Sequence, residues 1–380
     1  MGDTGMSQGT DHLITVLAAA YNGREYIKEQ MDSILAQSQG GILLVVSDDC
    51  SSDGTDKLLD RYGAEHGDQV IVLHRKIRSG GAAAHFLAML KLMADLASGR
   101  GMEAWNGIYD LGEETCLRLR EAAGAGYFML SDQDDVWLPE KAEILLGKMK
   151  QMERNGDAAG AEPGSGTNAG AEPGTNAGTN AKEPGPTPPV LVHSDLKVVD
   201  EDLREIAPSF FRYQKISPER TRLSQLLVQN NVTGGAVMIN RYLLPYLEHT
   251  PRICLMHDAW LALLASCFGC VGCVDRPLYL YRQHGTNTLG AEKGDDLAGM
   301  ENRLKDGSAA RENYRRMFGQ AESLLELFGE ELSPGQRKIL AAFAGLPGRS
   351  RPGKMFLILR YGFTKNTVLR TLGQMLLIGD

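Results

Sequence analysis

Short apolar runs and polar turns alternate along the first half of the chain. Apolar runs typical of buried strands occupy residues 13–19, 42–46, 70–73 and 126–130. The first three are each followed by a polar turn and then by a segment whose apolar residues have helical spacing. Strands that alternate with helices predict a parallel, doubly wound sheet. We therefore predict an α/β fold with a Rossmann-like, mostly parallel sheet flanked by helices.

The second half continues the alternation less regularly. Strands are predicted at 190–192, 236–239, 271–274 and 278–281, and helices at 223–228, 301–328 and 336–343. His193, Ser194 and Asp195 are expected to end the first of these strands. Another helix is expected to start at His257. The α/β domain is predicted to span 12–295, with a helical C-terminal extension at 296–380.

Two segments interrupt the alternation. Residues 98–120 look like an insertion that forms a short helix of its own. Residues 155–189 are rich in Gly, Ala, Pro, Thr and Asn and contain the near-repeat AGAEPG. Such a composition provides little apolar surface to bury, so it predicts a disordered surface loop.

The stretch YFMLSDQDDVW, residues 127–137, places three acidic residues directly after a predicted strand. Asp132, Asp134 and Asp135 lie between that strand and a helix predicted to begin at Pro139. Ligands bind at this end of the strands in an open α/β sheet. Because crowded carboxylates repel each other, a hard cation such as Mg²⁺ or Mn²⁺ suits them. The alternative is a solvated turn in which Asp135 caps the next helix.

Composition narrows the candidate partners. The net charge of −8 argues against nucleic acid as the main partner. Residues 1–11 are polar and do not resemble a secretory signal, which favours a cytoplasmic location. Cys267, Cys270 and Cys273 have the spacing of a metal knuckle, but no fourth ligand is nearby, so buried thiols are the favoured interpretation.

The end of the chain combines basic and apolar residues. The basic ones are Arg349, Arg351, Lys354, Arg360 and Lys365. A tail of this kind can lie on the anionic inner face of a cell membrane, which would make the protein peripheral there. The alternative is an ordinary helix packed on the domain with its basic residues outward.

Six blocks of the sequence resemble the inverting glycosyltransferases of family 2, which have the GT-A fold. The blocks are ITVLAAAYNGREYIKEQMDSILAQS, LLVVSDDCSSDGT, FMLSDQDDVWLPEK, LVHSDLKVVDEDL, NNVTGGAVMINR, and MHDAWLALLAS with LYLYRQHGTN after it. They occur in the order of the family and cover most of residues 14–287. The likeness is greatest to the bacterial rhamnosyltransferase-like members.

The resemblance implies roles for the matching positions. Asp134 and Asp132 match the DXD motif that binds Mn²⁺ or Mg²⁺, and His284 lies where some relatives supply a further metal or phosphate contact. Asp258 matches the general base. The positions implied to bind the nucleotide sugar are Tyr21, Asp49, Arg78, Asp132 and Arg282.

Two departures bear on recognition of the donor base. Residues 18–20 carry no hydroxyl where relatives often have Ser or Thr, and the loop beginning at Arg78 replaces a more usual Asn-containing one. The resemblance therefore leaves a dTDP-sugar and a UDP-sugar both open as the donor.

The resemblance implies a metal-dependent, inverting transfer of a sugar to a hydroxyl of a cell-surface polysaccharide, with L-rhamnose as the favoured sugar. The acceptor would be a glycan or a lipid-linked glycan. A sugar-phosphate nucleotidyltransferase is an alternative, although residues 20–24 lack the glycine-rich basic loop that a triphosphate requires. A catalytically inactive glycan-binding or assembly module is another, against which the intact Asp134 and Asp258 argue.

Overall fold

The computed structural model describes residues 13–156, 187–285 and 307–377. Their strands form one sheet in the order β3-β2-β1-β4-β8-β6-β9-β5, with β7 paired to β6. The strands are β1 (Ile14–Ala20), β2 (Ile42–Asp48), β3 (Val70–His74), β4 (Tyr127–Ser131), β5 (Val136–Trp137), β6 (Val190–Val199), β7 (Glu205–Ala207), β8 (Val237–Asn240) and β9 (Cys270–Arg282).

Helices cover both faces of this sheet and continue into the C-terminal part of the chain. They are α1 (Ile27–Leu35), α2 (Thr55–Glu65), α3 (Ala82–Ala97), α4 (Glu113–Ala123), α5 (Lys141–Gly156), α6 (Phe210–Gln214), α7 (Leu223–Leu226), α8 (His257–Phe268), α9 (Gly307–Phe328), α10 (Pro334–Ala344), α11 (Arg351–Tyr361) and α12 (Val368–Leu377). Two 3-10 helices, Gly234–Ala236 and Arg241–Leu247, precede and follow β8.

The first half of the sheet is parallel, as its sequence predicts. Strand β1 pairs with β2 and β4, and β2 pairs with β3, all in parallel. Val16 and Leu17 of β1 belong to two separate apolar clusters, because successive side chains of a strand point to opposite faces. Burial on both faces explains why these strands are continuous apolar runs.

The second half of the sheet is mixed. Strand β8 is antiparallel to β4 and to β6, whereas β6 and β9 are parallel. The connection from β6 to β8 contains no crossover back along the sheet, and a parallel strand would require one. The predicted α/β class is therefore confirmed, with parallel pairing concentrated in the first half.

Three local predictions differ from the structure. His193, Ser194 and Asp195 do not end a strand: they lie inside β6, fully buried and paired with β9. Residues 271–274 and 278–281 belong to one strand, β9. The helix expected to begin at Pro139 begins two residues later, at Lys141.

The insertion at 98–120 has a structural role. It contributes buried Trp105 and Tyr109, and then enters α4, which confirms the predicted short helix. Trp105 donates a hydrogen bond from Nε1 to Asp95 on α3 at 3.2 Å. The insertion therefore extends the apolar cluster beside α3.

The structure does not test the predicted domain boundary at 295/296. Residues 157–186 and 286–306 lie outside the described residues, as do most of the predicted low-complexity loop and the boundary at 295/296. Both therefore stay predictions. No helix among the described residues is long and apolar enough to cross a membrane.

Candidate active site

The predicted site residues come together at one edge of the sheet. Tyr21 follows β1, Asp49 follows β2, and Asp132 and Asp134 follow β4. His284 follows β9, which runs in the same direction as β6. The carboxyl ends of these strands form the edge at which α/β sheets bind ligands.

Asp49 is held by partners from the loop after β3. Its carboxylate accepts hydrogen bonds from the backbone N–H and from the hydroxyl of Ser79, each at 2.7 Å, and pairs with Arg75 Nε at 3.1 Å. Asp49 is buried. Arg75 was not predicted, because an arginine after an apolar strand has no distinguishing sequence signal. The arrangement fixes the Asp49 carboxylate in an orientation.

Tyr21 and Arg78 form an exposed aromatic–cation pair. The Arg78 guanidinium lies 3.8 Å from the centre of the Tyr21 ring, and Tyr21 is 38% exposed. A flat aromatic and a guanidinium at the same edge can stack with a base or contact a phosphate. The first loop and the loop after β3 are thereby joined at the predicted nucleotide side.

Gln133 connects the first loop with the acidic loop. The Tyr21 backbone N–H donates to Gln133 Oε1 at 2.7 Å, and Gln133 Nε2 donates to the Tyr21 carbonyl at 3.0 Å. Its side chain also packs closely on Gly23: a Cβ there would lie 2.2 Å from Gln133 Oε1. Sequence reasoning missed Gln133, since it occupies the variable position of the DXD motif.

A pocket of about 450 Å³ lies beside Gln133 and Gly23. It is lined by Asn22, Gly23, Arg24, Glu25, Tyr26, Asp53, Gln133 and His284. Of the predicted site residues, only His284 belongs to this lining. Its walls are mostly polar and charged, which suits a polar ligand or solvent.

Asp132, Asp134 and Asp135 form an acidic cluster, and Asp134 is its member near the surface. Asp134 Oδ2 lies 2.8 Å from His284 Nε2, and the His284 ring lies 4.9 Å from the ring of Tyr26. Asp132 lies deeper, and burial, then the charges of Asp134 and Asp258, raise its pKa to about 7. These carboxylates are thus close enough to oppose each other's ionisation.

Asp135 forms the buried pole of the cluster and does not cap a helix, contrary to the alternative considered from the sequence. Strand β5 separates it from α5, and its Oδ1 accepts the backbone N–H of Arg282 at 3.1 Å. Its Oδ2 has no hydrogen-bond partner among the described residues. A Cβ added to Gly235 would lie 3.3 Å from this oxygen. The glycine therefore leaves a small space beside an unpaired carboxylate oxygen.

Lys141 is a buried lysine beneath the cluster. Its Nζ donates to the carbonyl of Gly235 and lies 3.5 Å from the centre of the Trp137 ring and 4.4 Å from that of Tyr279. Burial lowers the pKa of Lys141, and the nearby Asp135 opposes this. Sequence reasoning missed Lys141, because a lysine at a helix start is usually exposed.

Arg282 ties the end of β9 to the acidic loop. Its Nε donates to the carbonyl of Asp134 at 2.8 Å and its Nη1 to the carbonyl of Glu201 at 2.6 Å, while Nη2 pairs with Glu29. The guanidinium also lies 4.6 Å from the centre of the Tyr26 ring, so several groups of the protein hold it in place. The predicted contact of Arg282 with a diphosphate remains a prediction, and the observed contacts assign it a positioning role.

Asp258 lies in the first turn of α8. It accepts a hydrogen bond from Asn230 Nδ2 at 3.1 Å and from the Ala259 N–H at 2.6 Å. Burial raises the pKa of Asp258 to about 6, which these hydrogen bonds oppose. A carboxylate with this pKa is ionised at neutral pH and can still accept a proton. Asn230 orients this carboxylate, a role that the sequence did not predict.

Comparison with known proteins finds a family match for part of the chain. Residues 15–93 match Glycosyl transferase family 2. The matched segment runs from β1 through α3, and therefore includes Tyr21, Asp49 and Arg78.

Two curated relatives are similar to part of the chain. TuaG of Bacillus subtilis, named for teichuronic acid biosynthesis, is 28% identical over 143 residues, which are 38% of this chain and 43% of TuaG. The dTDP-rhamnosyl transferase RfbG of Shigella flexneri is 28% identical over 128 residues, 34% of this chain and 35% of RfbG. The chain thus matches less than half the length of either relative.

Solved structures resemble the chain at a lower sequence identity. Residues 1–349 of S. aureus TarS, in complex with UDP-GlcNAc, give a TM-score of 0.49 at 13% identity. The alignment covers 92% of this chain and 80% of that one.

The acidic residues fit a cation that a bound ligand helps to hold. Among the described residues, no group of three or more His, Cys, Asp or Glu side chains is arranged to hold a metal ion. Asp134 and His284 nevertheless provide two adjoining donors, and Mn²⁺ accepts both oxygen and imidazole ligands. The diphosphate oxygens of a donor can supply further ligands. Cys267, Cys270 and Cys273 are free thiols and form no such group among these residues; Cys267 is buried as predicted, whereas Cys270 and Cys273 are only half-buried.

Proposed function

We propose that the protein is a glycosyltransferase that moves a sugar from a nucleoside diphosphate to an acceptor hydroxyl, with metal dependence and inversion at the anomeric carbon. The observation that carries the proposal is that two acidic residues with different surroundings, Asp134 and Asp258, lie at the same edge of the sheet. Asp134 adjoins His284, whereas Asp258 stands apart from them with its own hydrogen-bond donor, Asn230. The match of residues 15–93 to Glycosyl transferase family 2 supports the reaction class.

The nucleotide side of the proposed site begins at Asp49 and the Tyr21–Arg78 pair. Asp49 has a fixed carboxylate that can accept an N–H of a base, and Tyr21 offers an exposed ring for stacking. Gln133 holds the Tyr21 backbone against the acidic loop, so base binding and sugar placement are mechanically linked.

The metal, when bound, would be held by Asp134 and His284 and would neutralise charge on the departing diphosphate. Asp132 adds a second carboxylate on the same loop. Arg282 donates a hydrogen bond to the carbonyl of Asp134 in that loop, and Lys141 lies against Trp137, which follows the loop. These protein groups pre-organise the loop, which is the contribution that a rigid site makes to charge stabilisation.

Asp258 is proposed as the general base. The acceptor hydroxyl attacks the anomeric carbon from the face opposite the leaving group, and its proton passes to the Asp258 carboxylate. The carbon–oxygen bond to the nucleoside diphosphate breaks as the new bond forms. A single displacement of this kind inverts the anomeric configuration.

The donor and acceptor are proposed from the relatives' names. RfbG is named as a dTDP-rhamnosyl transferase, which supports L-rhamnose from a dTDP donor. TuaG is named for teichuronic acid biosynthesis, which supports a cell-surface polysaccharide or its lipid-linked precursor as acceptor. We propose residues 12–295 as the transferase domain and 296–380 as its helical extension.

The proposal is tested by incubating the purified protein with Mn²⁺ and a panel of dTDP-, UDP- and GDP-sugars. We expect hydrolysis or transfer from one donor. Asp134→Ala should lose donor binding in the presence of Mn²⁺, whereas Asp258→Ala should bind the donor but lose turnover. Asp68→Asn, at an exposed position of the loop before β3, serves as the control.

Other outcomes separate the alternatives. Release of pyrophosphate from a nucleoside triphosphate and sugar phosphate would identify a nucleotidyltransferase. Binding of a glycan without turnover of any donor would identify an inactive binding module. Normal turnover by Asp258→Ala would remove the proposed base.

A further inference from the structure

Exposed apolar side chains concentrate in the last two helices. Eleven large apolar side chains are exposed among the described residues, and six of them lie between positions 355 and 372. The six are Met355, Phe356, Leu359, Val368, Leu369 and Leu372. Scattered apolar residues are normal on a protein surface, whereas a cluster of this size indicates an interaction site.

Helix α11 directs an apolar face outward. Met355, Phe356 and Leu359 are 49%, 63% and 68% exposed, and their spacing places them on one side of the helix. Ile358, on the other side, is buried against the domain. An ordinary packed helix would turn its apolar residues inward. Helix α11 therefore has more apolar surface than its packing uses.

Helix α12 exposes apolar side chains and buries polar ones. Val368 and Leu372 are exposed, whereas Thr371 and Gln374 are buried. Gln374 Nε2 donates to the carbonyl of Phe363 at 2.9 Å, so the inward polar face is used by the protein. The outward face is apolar, and exposing it to water is unfavourable.

The stretch of sequence that contains these helices is basic. Between Leu332 and Gly379 the sequence has eight Lys and Arg residues and no Asp or Glu, although the whole chain has a net charge of −8. Arg351 and Arg360 of α11 are exposed beside the apolar face. Anionic lipid is the partner that offers both negative charge and an apolar layer.

We propose that α11 and α12 seat the protein on an anionic membrane surface. The side chains of Phe356, Leu359 and Leu372 enter the boundary between headgroups and acyl chains, and Arg351 and Arg360 contact lipid phosphates. Neither helix crosses the bilayer. This docking surface, the exposed apolar and basic residues of α11 and α12, does not depend on the proposed transferase activity.

The segment between the two helices contacts the chain near Asp258. Asn366 Nδ2 donates to Asn231 Oδ1 at 2.8 Å, and the adjacent Asn230 bonds to Asp258. Docking would therefore bring the membrane close to the candidate base, a consequence that rests on the proposed function. A lipid-borne acceptor would arrive from this side.

Vesicle binding by the full chain tests the docking without any sugar donor. Co-sedimentation would compare vesicles of phosphatidylcholine alone with vesicles that also contain phosphatidylglycerol. We expect binding to the anionic vesicles, weakened by salt. Phe356→Ser with Leu359→Ser should weaken partitioning about 100-fold, and Arg351→Gln with Arg360→Gln about 30-fold.

A matched control replaces apolar residues exposed elsewhere. Leu117→Ser with Ile206→Ser removes two apolar side chains that are 64% and 50% exposed, and should leave vesicle binding unchanged. Absence of binding to the anionic vesicles would overturn the proposal, as would equal binding by all variants. A dimer in solution that Phe356→Ser with Leu359→Ser dissociates, without vesicle binding, would assign the surface to a second copy of the chain.

Discussion

Replacing Gln133 with alanine should loosen the link between the nucleotide side and the acidic loop. The change removes two hydrogen bonds, of 2.7 and 3.0 Å, to the backbone of Tyr21. A hydrogen bond contributes a net 0.5–1.5 kcal/mol, and the exposure of these two favours the lower part of that range. Together they should contribute about 1–2 kcal/mol. If the ordered Tyr21 loop is required for the donor, the dissociation constant should rise about 5- to 30-fold.

Calorimetry provides the assay for Gln133→Ala. Titrations with UDP and with dTDP in the presence of Mn²⁺ would measure the dissociation constant, and urea unfolding would measure stability. Gln69→Ala removes an exposed glutamine side chain from the turn before β3 and should change neither quantity. An unchanged dissociation constant in Gln133→Ala, for a nucleotide that the wild-type protein binds, would refute the proposed link.

Three further predictions address the base, the packing and the C-terminal extension. Turnover at saturating donor should rise with pH through about 6, because burial raises the pKa of Asp258 to about 6 and only the carboxylate accepts a proton; a flat profile from pH 5 to 8 would exclude this base. Gly269→Ala should lower the free energy of unfolding in urea by about 1–3 kcal/mol, since its Cβ would lie 1.8 Å from the Pro189 carbonyl oxygen; wild-type stability would contradict the close contact. Asn366→Ala should lower the free energy of unfolding in urea by about 1–3 kcal/mol, because it removes the hydrogen bonds of Asn366 to the Asn231 side chain and to the backbone N–H of Ser217. An unchanged midpoint would show that the extension is held by other contacts.

The parallel half of the sheet was predictable because its strands are buried on both faces. Continuous apolar runs mark β1, β2, β3 and β4. The end of strand β6 was harder to predict, because the polar residues His193 and Asp195 suggested that the strand stops there. In the structure Asp195 accepts a hydrogen bond from the hydroxyl of Ser209, so tertiary contacts keep this polar residue inside a buried strand.

The candidate site was predictable where chemistry and sequence order agree. Asp134 and His284 are far apart in the chain, yet both end strands at the same edge, and they meet at 2.8 Å. Lys141 and Gln133 could not be inferred, because their roles depend on which side chains surround them. A lysine gives no sequence signal that the rings of Trp137 and Tyr279 will enclose it.

Residues 156 and 187, which flank the segment 157–186, lie at the edge of the sheet remote from the candidate site. Helix α5 ends there and β6 begins there, since β6 runs alongside β9 toward His284. Foreign sequence introduced at this position would enter the molecule where no candidate donor or acceptor residue is found among the described residues. An affinity tag or a fluorophore placed there should immobilise or report on the protein while leaving the opposite edge open.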